Sequence, residues 1–362
     1  MTVKTASHAK IPWIETPLVR SAALSAAAGC NVFLKLENLQ PAGSFKSRGI
    51  GNYLVCQLAA AQAAGTRAGS RPHFYCSSGG NAGLACVHGA ITLGCEATIV
   101  VPLSTTPYMV GRLREAGATE VIQQGASWQE ADHYLTEALM RDARARGETA
   151  VYVPPFDAQQ IWDGNAGITR EIVRQLPSAE RHYATSDAAE DGDADLGVSA
   201  PRVDAIVCSV GGGGLLAGIV QGLDELKLEK TTVIAVETDG ADSLSRALSG
   251  GELVTLPAIT SLATSLGARR VCQRAFEYGM RDTVASLVLP DSEAISACRR
   301  FLDEERLLVE LACGVCPAVC YSGQLEKLVP GFSANSVVVL IICGGSNISL
   351  EMMDRYPSEQ AS

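Results

Sequence analysis

Three short stretches of the 362-residue chain combine residue types that could do chemistry. The first is PAGSFKSRG at 41–49, where Gly43 and Ser44 predict a turn and Lys46 opens a helix starting near Ser47. A lysine at a helix N-terminus faces the positive end of the dipole, which disfavours its ammonium form. Such an amine is a nucleophile able to condense with a carbonyl; the alternative is an ordinary solvated lysine. The second stretch is SSGGNAG at 77–83, between an apolar strand and a helix. Small residues let a ligand approach the backbone, the free N–H groups of a helix start suit a carboxylate, and Asn81 adds an amide. The third is VGGGGL at 210–215, again between strand and helix. Four glycines free the backbone to form a nest of N–H donors for a phosphate, though any tight loop could use them. The spacing matches neither a dinucleotide GxGxxG with its acidic partner nor a GxxxxGK[ST] loop. Together, a poised lysine, a carboxylate-sized nest and a phosphate-sized nest suit pyridoxal phosphate with an amino acid.

The elements that must position these stretches alternate in type. Strands are predicted at 31–37, 72–77, 97–101, 120–123, 150–153, 203–210, 232–236, 283–289 and 336–343. Helices are predicted at 47–64, 81–93, 108–116, 128–145, 161–175, 215–226 and 291–304. Such alternation argues for an α/β protein with doubly wound, mostly parallel sheets, and the run VVVLII at 337–342 reads as a strand buried on both faces. The acidic stretch 184–200, ATSDAAEDGDADLGVSA, is too poor in bulky apolar groups to fold and is predicted to be a disordered surface insertion.

Composition narrows the function classes. A net charge of −10 argues against nucleic acid and anionic membranes as partners. The N-terminal residues lack the apolar core of a secretory signal, and no apolar run is long enough to span a bilayer; the expectation is a cytoplasmic protein. The twelve cysteines are scattered through apolar runs, as buried free thiols in a reducing compartment would be. Cys313, Cys316 and Cys320 share a helix face. A zinc site is the alternative there, but without a second ligand pair or a nearby histidine the preferred reading is a packed face.

In SFKSRG at 44–49, SSGGNAG at 77–83, ATIVVP at 97–102, PPFD at 154–157, SVGGGGLLAG at 209–218, AVETDGA at 235–241 and IICGGSNISL at 341–350, the chain resembles the fold-type II pyridoxal-phosphate enzymes, tryptophan synthase β-like, and specifically the L-serine/L-threonine dehydratases. The resemblance implies that Lys46 is the Schiff-base lysine and that Phe45 packs on the cofactor ring. Asn81 would lie near the ring hydroxyl, Gly211, Gly212, Gly213, Gly214 and Leu215 would hold the phosphate, and Cys343 would face the pyridine nitrogen. Ser78, Gly79, Asn81, Ala82 and Phe156 would bind substrate. Gly211, Glu237, Ala241, Leu266 and Ala268 would ligate a cation, potassium before a divalent ion because most of these ligands are neutral carbonyls; an ion pair is the plainer reading of Glu237. A large cofactor domain (1–40 plus 149–362) would carry an inserted small domain (41–148), with the cofactor in a cleft, and the assembly would be a homodimer. One departure is VELACG at 309–314, where the family often has proline after the glutamate; no cofactor role is assigned to it.

The implied reaction is β-elimination: serine gives pyruvate and ammonia, and threonine gives 2-oxobutyrate by the same route. Lys46 would take the Cα proton, and the leaving hydroxyl would draw its proton from the cofactor phosphate, because no carboxylic acid motif presents itself. The thiol of Cys343, a weaker acid than a carboxyl, favours prompt loss of the β-group over racemisation. Gly79 stands where related racemases carry a serine, so a second proton-exchanging face is missing. The alternatives are a serine racemase-type or β-replacement enzyme on the same fold, or a non-catalytic amino-acid sensor.

Overall fold

The apolar, β-branched runs form ten strands among the described residues, which are 10–64, 71–183 and 202–357 of a computed structural model. They are β1 (Leu18–Arg20), β2 (Asn31–Lys35), β3 (His73–Cys76), β4 (Glu96–Val101), β5 (Glu120–Gln123), β6 (Ala150–Tyr152), β7 (Ala205–Ser209), β8 (Thr232–Thr238), β9 (Val284–Leu289) and β10 (Val337–Ile341). The acidic stretch 184–200 lies outside the described residues. The chain divides into two compact units, residues 1–14 with 46–155 and residues 15–45 with 156–362.

The first unit holds a four-stranded parallel sheet in the order β5-β4-β3-β6. Two of its helices start where side chains cap them. Thr106 accepts from the Met109 amide, with Pro107 at the first helical position, and Ser127 accepts from the Glu130 amide. The segment expected as one helix over 128–145 contains a π-helical turn, Leu135–Leu139, between α-helices Trp128–Tyr134 and Met140–Ala145. Thr136 contributes to this: its hydroxyl back-bonds to the carbonyls of Asp132 (3.0 Å) and His133 (3.3 Å).

The second unit holds a six-stranded sheet in the order β1-β2-β10-β7-β8-β9. Only β1 runs antiparallel, pairing with β2 at the sheet edge. At three residues β1 is too short for any periodicity to register in the sequence, and the same holds for the short helices Ala22–Ala28 and Gln273–Gly279. The central strand β10 is wholly buried between β2 and β7. Cys313, Cys316 and Cys320 are fully buried on the helix Leu311–Tyr321 and belong to this unit's apolar core, a packed face as expected.

One cation lies inside this unit. Lys35 is fully buried in β2, and its Nζ donates to the Thr16 carbonyl (2.6 Å), Glu171 Oε2 (2.6 Å) and Gln175 Oε1 (2.9 Å). Removing the cation takes the positive charge from beside the buried Glu171 carboxylate. Lys35→Ala is therefore expected to cost about 3–5 kcal/mol, read as a lowered urea midpoint, whereas an exposed pair such as Arg355–Glu351 is expected to contribute under about 1 kcal/mol.

Candidate active site

In the first unit the chemistry gathers at the ends of β3 and β6. Lys46 is the first residue of the helix Lys46–Ala63, half-buried, and its Nζ donates to the Pro155 carbonyl at 2.6 Å. Two turns along the same helix, the Tyr53 hydroxyl donates to the Tyr152 carbonyl at 2.9 Å, which docks the helix on the end of β6. The 77–83 loop follows β3 and turns into the helix Asn81–Leu93, with Gly80 at its N-cap. Among the described residues no protein acceptor takes the amides of Ala82 and Gly83. A Cβ on Gly83 would lie 2.0 Å from the Ser78 carbonyl, so only glycine lets the loop close on the helix start. A Cβ on Gly79 would meet Val101 Cγ1 at 3.0 Å and Thr105 Cγ2 at 3.1 Å, against the end of β4. Asn81 and Ser78 lie in this same loop.

In the second unit, β7 runs into the glycine turn and then the helix Gly214–Glu225. The amides of Gly211, Gly212, Gly213, Gly214 and Leu215 have no protein acceptor among the described residues; the first amide satisfied locally is that of Ala217, by the Gly213 carbonyl at 2.9 Å. Contacts make the glycines necessary. Gly213 has φ +87°, and its Cβ would lie 2.3 Å from Ala275 Cβ. A Cβ on Gly212 would enter the Phe156 ring at 2.3 Å, and one on Gly214 would lie 2.6 Å from the Phe156 carbonyl. Phe156 thus packs against the glycine turn, and its carbonyl is held by Trp162 Nε1 at 3.0 Å.

Cys343 follows β10, buried, with its Sγ 3.6 Å from Ser209 Oγ. Two backbone bonds pair this segment with 43–45: the Phe45 amide donates to the Cys343 carbonyl (3.1 Å) and the Gly345 amide to the Gly43 carbonyl (2.9 Å). Glu310, which has no role in the sequence motifs, is buried beside the same turn. Its Oε1 accepts the Asn347 amide at 2.6 Å, and a Cβ on Gly345 would lie 2.2 Å from its carboxyl carbon. The only local signal was an acidic residue at a helix start.

Glu237, in β8, is fully buried. Its oxygens accept the amides of Leu244 and Ser245, each at 2.8 Å, while burial pushes its pKa up to about 8. Gly211 abuts Leu266: a Cβ there would lie 3.3 Å from the Leu266 carbonyl oxygen, which also accepts the Ala268 amide. Ala241 sits in the turn after β8, its amide on the Thr238 carbonyl; next to it, Asp242 Oδ1 is buried without a partner.

A family model described as pyridoxal-phosphate dependent enzyme matches residues 11–344. The chain belongs to this pyridoxal-phosphate-dependent family. It is 44% identical over 347 residues to a serine dehydratase-like protein of Rattus norvegicus, covering 95% of this chain and 94% of that one. It is 38% identical over 342 residues to an L-serine dehydratase of Saccharomyces cerevisiae, covering 93% and 94%. Its structure is similar to a fungal L-serine ammonia-lyase from Rhizomucor miehei, with a TM-score of 0.80 and 32% identity over 96% of this chain and 98% of that one. Residues of each unit fit the family's cofactor: the orphan amides of Gly211 to Leu215 at a helix start suit a phosphate dianion, and in the other unit the Lys46 amine suits an aldehyde.

The fit generates a prediction. Gly213→Ala places a Cβ at a left-handed position and against Ala275, so the turn must shift. Affinity for added pyridoxal phosphate is expected to fall at least about tenfold, equivalent to about 1.4 kcal/mol, measured by titrating the cofactor-free protein and following fluorescence.

Proposed function

We propose that the protein is an L-serine ammonia-lyase that converts L-serine to pyruvate and ammonia, and that it also takes L-threonine to 2-oxobutyrate. The observation that carries the reading is the amine of Lys46, half-buried at a helix start on the Pro155 carbonyl, one peptide bond from the Phe45–Cys343 pairing. The serine dehydratase and serine ammonia-lyase names of the rat, yeast and fungal relatives support the same activity.

Bound pyridoxal phosphate supplies an electron sink for the bonds at the substrate Cα. The chain supplies the rest. The amides of Gly211 to Leu215 would hold the phosphate, Phe45 would pack on the ring, and Cys343 would offer a thiol to the ring nitrogen. Ser78, Asn81 and the Ala82 amide would hold the substrate carboxylate, which orients the Cα–H bond. The Lys46 amine would take the Cα proton. Loss of the β-hydroxyl as water, followed by hydrolytic release of ammonia, balances serine against pyruvate and ammonium. Racemisation needs a proton donor on the opposite face, and Gly79 has no side chain to provide one.

We extend the reading to a cation held by Glu237 and the carbonyls of Gly211, Ala241, Leu266 and Ala268. A buried carboxyl and an unpartnered Asp242 oxygen in one region support it, because a cation would relieve the desolvation of both. Potassium fits a mostly carbonyl set better than a divalent ion.

Three measurements test this. Lys46→Ala is expected to lower pyruvate formation from serine by at least about a thousandfold; wild-type-like turnover in that variant would remove the proposal. Gly79→Ala must displace Val101 or Thr105 by a few tenths of an ångström, so the ratio of 2-oxobutyrate to pyruvate formation is expected to change; an unchanged ratio counts against Gly79 shaping the pocket. Exchanging potassium for a bulky organic cation is expected to lower the wild-type melting temperature and leave Glu237→Gln unaffected, as followed by differential scanning fluorimetry.

A further inference from the structure

The first unit contains a polar junction that the chemistry above does not use. Ser77 Oγ donates to Asp132 Oδ1 at 2.6 Å, and the Tyr152 phenol donates to the same oxygen at 2.8 Å. Ser77, fully buried, opens the 77–83 loop directly after β3. Tyr152 ends β6, three residues before the carbonyl that receives the Lys46 amine, and its own carbonyl receives Tyr53 from the Lys46 helix. The parallel ladder between β3 and β6 runs only to Tyr75 opposite Tyr152, followed by the Val153 amide on the Tyr75 carbonyl at 2.8 Å. Past that point the two strand ends lead into the carboxylate loop and the lysine's acceptor, and one carboxylate oxygen ties them together.

Asp132 is well placed to hold them. It lies on the helix capped by Ser127, just before the π-helical turn, with its carbonyl bonded by the Thr136 hydroxyl. Burial and the neighbouring carboxylate push the Tyr152 phenol well above its ordinary pKa, so it stays a donor across the physiological range. Ser77 and Tyr152 both need an acceptor when buried, and Asp132 serves both.

We propose that Asp132 is a positioning residue for the substrate carboxylate: through Ser77 and Tyr152 it sets the 77–83 loop relative to the Pro155 carbonyl on which the Lys46 amine rests. The proposal depends on the 77–83 loop gripping the carboxylate, as read above. It assigns Asp132 an effect on substrate binding greater than its effect on turnover.

The test is steady-state kinetics with L-serine on the holoenzyme of Asp132→Ala, Asp132→Asn, Ser77→Ala and Tyr152→Phe, alongside Asn81→Ala. Asp132→Ala removes the shared acceptor of two hydroxyls, so it is expected to raise KM roughly tenfold and change kcat much less. Asp132→Asn keeps a side-chain oxygen that can accept both hydroxyls and is expected to restore KM to within about threefold of wild type. Combining Ser77→Ala with Asp132→Ala is expected to raise KM little beyond the worse single change, because both remove the same link. Affinity for pyridoxal phosphate is expected to be unchanged in the Asp132, Ser77 and Tyr152 variants. If Asn81→Ala raises KM while Asp132→Ala does not, the positioning role is overturned and the loop reading stands. If Asn81→Ala leaves KM unchanged, the loop reading falls first. Equal KM for Asp132→Asn and Asp132→Ala, or a loss confined to kcat, also overturns the role. Should Asp132→Ala fail to fold, Ser77→Ala and Tyr152→Phe decide the matter by the same split of KM against kcat.

Discussion

Two backbone hydrogen bonds, from the Phe45 amide to the Cys343 carbonyl and from the Gly345 amide to the Gly43 carbonyl, are the constraint on which the candidate site rests. They pair a turn near the start of the chain with the end of the central strand β10, about three hundred residues later, and so fix Phe45 beside Cys343. Phe45 directly precedes Lys46 in the chain. The pairing has narrow sterics. Gly344 (φ +80°) and Gly345 (φ +121°) both occupy conformations that side chains rarely adopt. A Cβ on the first would strike the Gly43 carbonyl, and one on the second the Glu310 carboxyl. Glu310 then closes the turn by accepting the Asn347 amide.

A second constraint is the set of backbone amides left open at helix starts. Both the 77–83 loop and the 211–215 turn leave amides without protein partners at helix starts. An orphan amide costs stability unless water or a ligand meets it, so both turns need water or a ligand at these amides. The glycines in them answer different demands. Gly213 is required by its backbone conformation, whereas Gly83 and Gly212 are required because a carbonyl and an aromatic ring lie where a Cβ would go.

Much of the architecture was legible in the sequence. The alternation of apolar runs with helical stretches predicted parallel sheets, and each reactive motif sits in the strand-to-helix turn its residues imply. The strand β1 and the short helices were not legible, because three to seven residues carry too little periodicity. The π-helical turn was not legible either, since a wider turn leaves the surrounding apolar spacing nearly helical. Of the candidate site, the residues that stand out in the sequence are those in compact motifs: Lys46, Asn81, the four glycines and Cys343. Glu310, Asp132, Tyr152 and Pro155 could not, because each acts on a partner remote in sequence.

By itself, then, the sequence determined what depends on nearest neighbours: which runs form strands, which turns need glycine, and which amine and amides could serve as reactive groups. Tertiary structure alone decided which carbonyl receives Lys46, which carboxylate joins Ser77 to Tyr152, and why Gly345 cannot carry a side chain. The physical reason is that hydrogen bonds and steric contacts act over a few ångströms, and those neighbours become adjacent only once β3 lies beside β6 and β2 beside β10.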